Sequence, residues 1–211
     1  MKNNYFKYYK PNAIIGFIVI LGTLVGFSLT FLIDIITNIT NVSYYQYSAT
    51  STVIILLIAF IDKKLWCKKP FKYLFIIPNL SGRYEGWIKY QHPITKIESS
   101  KKCTIEIYQT GSKVKLNCYF QKENGEEKTP SKSLIETVVK NDDNTFSLVF
   151  NYQNDGILGK FSPHHGTNIL KFIKNSEGQF LKGIYYTNRE PYQTRGEMEV
   201  KFITNKLKND Y

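Results

Sequence analysis

Arg83, Arg189 and Arg195 are the only arginines in a chain of 211 residues that carries 25 lysines. None lies near the most apolar stretches, where positive charge alone is needed and lysine serves. A guanidinium differs from an ammonium by its planar fork of donors, which meets a phosphate or carboxylate through two parallel hydrogen bonds. Tyr84, Trp87, Tyr185, Tyr186 and Tyr192 lie close to these arginines in sequence, and aromatic faces stack on nucleobases. Arg83, Tyr84, Trp87, Tyr186, Arg189, Tyr192 and Arg195 therefore make up the candidate ligand-binding set. Two readings of it stand at this level. One is recognition of a phosphate-bearing ligand. The other is ion pairing with Glu85, Glu190, Glu197 and Glu199, with the aromatics in ordinary packing.

Other chemistry finds little support. No GxSxG, HExxH or P-loop pattern occurs. His164 and His165 stand in a Ser-Pro-His-His-Gly stretch; adjacent side chains point apart on extended backbone, and no Glu or Cys stands at ligand spacing, so they read as a polar turn. Asp142-Asp143 reads as a solvated turn. Cys67, Cys103 and Cys118 are odd in number and far apart. They suit three buried thiols in a reducing compartment, not a disulfide framework or a zinc site. No catalytic residue, metal or cofactor is expected.

The elements that must position the arginines divide the chain in two. Residues 1–78 hold 8 lysines and 2 aspartates in short blocks, whereas residues 79–211 hold 20 basic and 15 acidic side chains. The overall excess of +11 is thus partly a flank of apolar segments, and is poor support for a DNA or RNA polymer as partner. A content of 43% hydrophobic and 15% aromatic residues excludes a coreless, disordered chain.

Residues 79–205 read as an all-β domain. Eight segments, 80–91, 103–109, 113–122, 133–140, 145–153, 168–174, 179–187 and 194–203, are rich in Tyr, Phe, Ile, Val and Thr. Several alternate with period two, as Val114, Leu116, Cys118 and Phe120 do against Lys113, Lys115, Asn117 and Tyr119. Turn signals separate them, among them Thr110-Gly111-Ser112, Glu123-Asn124-Gly125, Asn154-Asp155-Gly156 and Ser176-Glu177-Gly178. Eight hairpin-linked strands without an intervening helix predict a lipocalin-like, antiparallel up-and-down β-barrel, since closure removes exposed edges, with a β-sandwich as the second reading. Closure makes the first and last strands neighbours, so the three arginines are expected to converge.

Residues 1–70 read as a transmembrane domain of two helices. Residues 13–33 carry no charge over 21 residues, about 31 Å of helix, enough for the hydrocarbon core of a bilayer. Residues 48–61 are strongly apolar, and counting back to Tyr44 gives 18 residues. Tyr44, Tyr45 and Tyr47 would mark one interface and Trp66 the other. Lysines flank both outer ends, at 2, 7 and 10 and from 63 to 72, which predicts both termini in the cytoplasm of a bacterial inner membrane. Gly22 and Gly26 put small residues on one helix face, for packing inside the hairpin or between hairpins of different molecules. Residues 71–77, between Pro70 and Pro78, read as an interfacial segment or as the end of the second helix.

Two N-terminal transmembrane segments, then a barrel opening on Leu80-Ser-Gly-Arg-Tyr-Glu-Gly-Trp87 and closing on Arg195-Gly-Glu-Met198, resemble the two-transmembrane, β-strand-rich effectors of CBASS anti-phage defence. The Gly82-x-Tyr84-x-Gly86 start also resembles the first strand of lipocalin-like barrels, with Tyr84 where those carry Trp. The first resemblance implies a non-enzymatic receptor. Its barrel would bind a cyclic di- or oligonucleotide made by a partner nucleotidyltransferase of the CD-NTase type. Binding would drive a homo-oligomer whose helices disrupt the lipid bilayer. Two other functions fit the same elements: a membrane-anchored carrier of a small apolar ligand, and a membrane-tethered adaptor that docks a partner protein.

Overall fold

The computed structural model describes residues 5–40, 47–92, 94–121, 128–156, 163–190 and 192–208. It divides into two compact units, Met1–Ile76 with Thr110–Lys113, and Ile77–Gln109 with Val114–Tyr211.

In the first unit, α1 runs over Pro11–Thr40. Proline suits its first position, where the missing N–H would have had no partner. α1 is the only described helix long and apolar enough to cross a membrane. The expectation of two such helices is corrected. Among the described residues, regular α-helix in the second segment, α2, covers Tyr47–Phe60, which is about 21 Å against a core of about 30 Å. Tyr44 and Tyr45, counted into the longer run, lie outside the described residues. At its other end α2 passes into a π-helical turn, Ile61–Leu65.

That turn has a reason in Asp62, which is buried. One carboxylate oxygen accepts the Tyr9 hydroxyl at 2.8 Å and the other the Ser112 hydroxyl at 2.9 Å. The Asp62 carbonyl accepts the Gly111 N–H at 3.0 Å. A buried carboxylate is tolerable only with such donors. Tyr9, Ile14, Ile61, Trp66, Leu74 and Phe75 form the apolar core beside it. Trp66 is therefore a core residue of this unit. Residues 71–77 are resolved as a 3-10 turn, Phe71–Leu74, followed by Phe75, which bridges Tyr9 in antiparallel fashion. Cys67 is exposed, so the expectation of three buried thiols holds only for Cys103 and Cys118.

The second unit is the barrel. Its strands are β1 Gly82–Gln91, β2 Glu98–Gln109, β3 Val114–Gln121, β4 Lys128–Lys140, β5 Phe146–Asn154, β6 His164–Asn175, β7 Gly178–Thr187 and β8 Arg195–Thr204. Each pairs antiparallel with the next, and β1 closes on β8. The expected up-and-down barrel is the fold found. The Glu123-Asn124-Gly125 turn signal lies outside the described residues. Along β3 and β8 the alternation is inward for Leu116, Cys118, Met198 and Val200, and outward for Lys115, Glu197 and Glu199.

The two ends of the barrel differ. One is stopped. Leu80 is fully buried and its N–H donates to the Gln109 side chain at 2.7 Å, while the Gln109 amide donates to the Pro78 carbonyl at 2.9 Å. Tyr84 lies across this end with no exposed surface. Its hydroxyl donates to the Leu80 carbonyl at 3.0 Å, and its ring meets Phe202 edge-on, 5.5 Å between centroids. Ile105, Ile107, Leu148, Leu181 and Val200 fill the interior. At the opposite end, the mouth, β1 joins β2, β3 joins β4, β5 joins β6 and β7 joins β8.

Candidate functional site

The interior becomes polar towards the mouth. Ser131 on β4, Asn154 on β5, Asn168 on β6 and Thr187 on β7 are all buried. The Asn154 amide donates to the Ser131 hydroxyl at 2.8 Å. Thr187 and Thr194 share a hydrogen bond of 2.8 Å across the start of the β7–β8 connection. His165 and Asn188 tie β6 to the same connection: the His165 N–H donates to the Asn188 side chain at 2.7 Å, and the Asn188 N–H to the His165 carbonyl at 3.0 Å. Tyr152 and Tyr185 supply buried rings at this level, and burial raises the pKa of both hydroxyls, so they remain neutral donors.

Asn168 stands apart from these pairs. It has no exposed surface, and neither its amide nitrogen nor its oxygen has a partner. It pairs with Phe150 on β5 and Tyr185 on β7, both inward and buried.

The sequence-derived set is split by the register. Arg195, Tyr186, Arg189 and Tyr192 gather at the mouth. Arg195 opens β8 directly opposite Tyr186 on β7, and both are exposed on the outer wall. Arg189 and Tyr192 lie in the β7–β8 connection, Arg189 partly buried and Tyr192 exposed. Trp87 is midway along β1, exposed on the outer wall opposite Glu199. Tyr84 and Arg83 belong to the stopped end. The expected convergence of three arginines is not realised. Arg83 pairs with Thr204, and Arg195 begins the same strand at its other end, about 30 Å away along an extended chain.

Arg83 instead occupies the outer face, where its Nε donates to Glu85 at 2.6 Å and its Nη1 to Glu106 at 2.7 Å. Burial works against its charge, but the hydrogen bonds to Glu85 and Glu106 outweigh it and raise its pKa. Glu106 also accepts the backbone N–H of Lys208 at 2.9 Å. A cavity of 160 Å³ lined by Arg83, Glu85, Lys102, Tyr119, Gln121 and Lys208 opens beside this cluster. Ion pairing is thus what the structure gives Arg83.

The residues missed from sequence are the inward polar ones. Their signal is parity: Leu170 faces the core, so Asn168, two residues earlier on the same strand, faces it too. Cys103 and Cys118 are also inward and carry no nucleophile. Burial pushes the Cys118 thiol up to about 12 and the Cys103 thiol well above its ordinary value, so both stay protonated.

A small closed barrel, stopped at one end and polar at the other, is an architecture that is either filled by its own side chains or holds one small ligand. The chain belongs to the Cap15 cyclic dinucleotide receptor domain family, a family of CBASS effectors, whose model matches residues 75–201. That match begins just before the barrel and ends within β8. The family is one of receptors, not of catalysts. No curated protein matches the chain.

Proposed function

We propose that this chain is a membrane effector whose barrel binds a cyclic dinucleotide at its mouth, and that occupancy drives oligomerisation and disruption of the bacterial inner membrane. The messenger is the product of a nucleotidyltransferase of the CD-NTase type. The helix α1 anchors the effector, and the second segment returns to the start of α1, where Ile61, Trp66 and Phe75 pack with Tyr9 and Ile14. The lysines at 2, 7 and 10 and those from 63 to 72 therefore share one side, the cytoplasmic side by the positive-inside rule. The observation that carries the reading is the polar mouth with Arg189, Arg195, Tyr186 and Tyr192 around it, in a chain whose barrel matches a cyclic dinucleotide receptor domain. The exposed Arg195 guanidinium attracts and pairs with phosphate, Arg189 adds positive charge beside it, and tyrosine rings offer faces to the bases.

The test is titration of the full-length chain in detergent with cyclic di-AMP, cyclic di-GMP and cyclic di-UMP. At least one is expected to bind, and no binding of any overturns the reading. Arg195→Ala should weaken that binding by roughly 10-fold or more, since a hydrogen bond to a charged group is worth about 1.5–3 kcal/mol. Arg195→Lys should fall between, keeping charge and losing the fork. Neither should shift the ligand-free melting temperature by more than about 2 °C, as is usual for an exposed position. A fall in melting temperature with affinity unchanged would remove Arg195 from the site.

The oligomer has its own test. A Cβ at Gly26 would meet nothing within 4 Å, whereas one at Gly22 would touch Ile54 of α2 at 3.7 Å. Gly26 is thus free to serve an intermolecular face, where small residues let backbones approach. Gly26→Leu is expected to abolish nucleotide-dependent dye release from vesicles while leaving nucleotide affinity unchanged. Undiminished release assigns Gly26 to lipid.

A further inference from the structure

Asn168 is a polar side chain at a core position, fully enclosed, with a donor and an acceptor both unpaired. Native interiors rarely leave such groups unsatisfied, because the lost hydration is not recovered. A leucine there would have matched its inward neighbour Leu170. An amide retained at a cost to the ligand-free fold points to a partner that arrives from outside.

The chemistry of that partner follows from the two free atoms. A carboxamide offers N–H donors beside a carbonyl acceptor. A phosphate presents only acceptors and would leave the Asn168 oxygen unpaired. A nucleobase edge presents a donor next to an acceptor, and asparagine meets such an edge through two hydrogen bonds. We propose that Asn168 is the base-reading residue of the barrel, receiving the edge of one base of the bound dinucleotide inside the mouth. This rests on the receptor reading above and adds which part of the ligand enters the barrel and which side chain meets it.

The surroundings fit a base. Tyr185 and Phe150 sit directly beside Asn168 on the neighbouring strands, facing the same interior. On the mouthward side, Gly166 is the preceding inward residue of β6 and pairs with Tyr152. A Cβ at Gly166 would strike the Tyr152 ring and hydroxyl, so that ring packs on the strand at Gly166, on the mouthward side of Asn168. Entry of a base requires Tyr152 to turn aside, and its face then offers a stacking surface. Arg195, exposed at the rim, is placed for the phosphates.

The test uses the full-length chain in detergent and the variant Asn168→Leu. The probes are cyclic di-AMP, cyclic di-GMP, cyclic di-UMP and a cyclic bis(ribose phosphate) that lacks both bases. The variant is expected to melt at or above the temperature of the unmodified chain, because an unsatisfied buried amide has been replaced by an apolar side chain of similar size. It should bind its best dinucleotide about 10-fold to 100-fold more weakly, the range of one bidentate base contact. Binding of the base-free ring should be equal in the two proteins. If none of the dinucleotides binds the unmodified chain, the receptor reading fails and takes the base contact with it. If dinucleotide binding survives Asn168→Leu, the base contact alone is overturned. A lower melting temperature for the variant would also overturn it, showing that the amide already has a partner in the free protein. A matching loss for the base-free ring would place the contact on the sugar–phosphate backbone instead.

Discussion

Arg83→Ala is expected to lower the melting temperature of the ligand-free chain by roughly 10–25 °C and to leave nucleotide affinity unchanged. The Arg83 side chain is 14% exposed and that of Glu106 1%. Removing the guanidinium takes a full positive charge from beside a buried carboxylate that also accepts the backbone N–H of Lys208. Breaking a buried pair from one side costs about 3–5 kcal/mol, far more than the pair contributes relative to an apolar replacement. For a barrel of this size, a loss of 1 kcal/mol lowers the melting temperature by about 3–5 °C. Glu106→Gln in the same chain should restore much of the loss, because an amide tolerates burial beside the Lys208 N–H without a countercharge. Arg83→Lys should fall between, since one ammonium replaces two separately directed donors, Nε to Glu85 and Nη1 to Glu106. The measurement is a thermal melt paired with a nucleotide titration. An unchanged melt with weakened binding would return Arg83 to the ligand site.

The contrast with Arg195 shows how far the sequence carries. Composition and parity were enough for the strands, β3 and β5 alternating cleanly, whereas closure of β1 on β8 rested on the removal of exposed edges, since hairpin order alone fits a sandwich as well. The mouthward ends of β2, β4 and β6 were not legible. Their first residues, ESSKK, KTPSK and HHGT, lack the apolar alternation that marks a strand. They are strand because each has a paired neighbour, a tertiary effect that local preference does not encode. The same limit applies to the arginines. Adjacency of the first and last strands was correctly inferred, but antiparallel pairing sends Arg83 to one end of the seam and Arg195 to the other. Neighbouring strands bring residues together only at matching heights. The charge-free run of the second segment likewise says nothing of the π turn that follows it at Ile61–Leu65, where Asp62 is drawn inward to Tyr9 and Ser112.

The closing seam itself depends on Gly86, where the second large effect is expected. Gly86 lies on β1 between Cys103 of β2 and Val200 of β8. A Cβ there would strike the Glu199 carbonyl oxygen and come within 2.8 Å of the Val200 Cα. Both are backbone atoms, so no rotamer change relieves the clash, and β8 must move away from β1. Gly196 meets Lys89 across the same seam in the same way. Glycines in strands mark such close approaches, where a barrel wall coils tightly enough to close. Gly86→Ala is therefore expected to cost about 3 kcal/mol, the upper part of the range for overpacking. The loss should concentrate in the β1–β8 ladder, with faster amide exchange along β8 than along β3 or β5. Gly26→Ala makes the comparison, because its Cβ enters open space on a helix and alanine there should be neutral or stabilising by up to about 1 kcal/mol. If Gly86→Ala melts within 2 °C of the unmodified chain, taking roughly the scatter of a surface change, then β1 and β8 have room that the seam does not show, and closure rests on something other than this glycine.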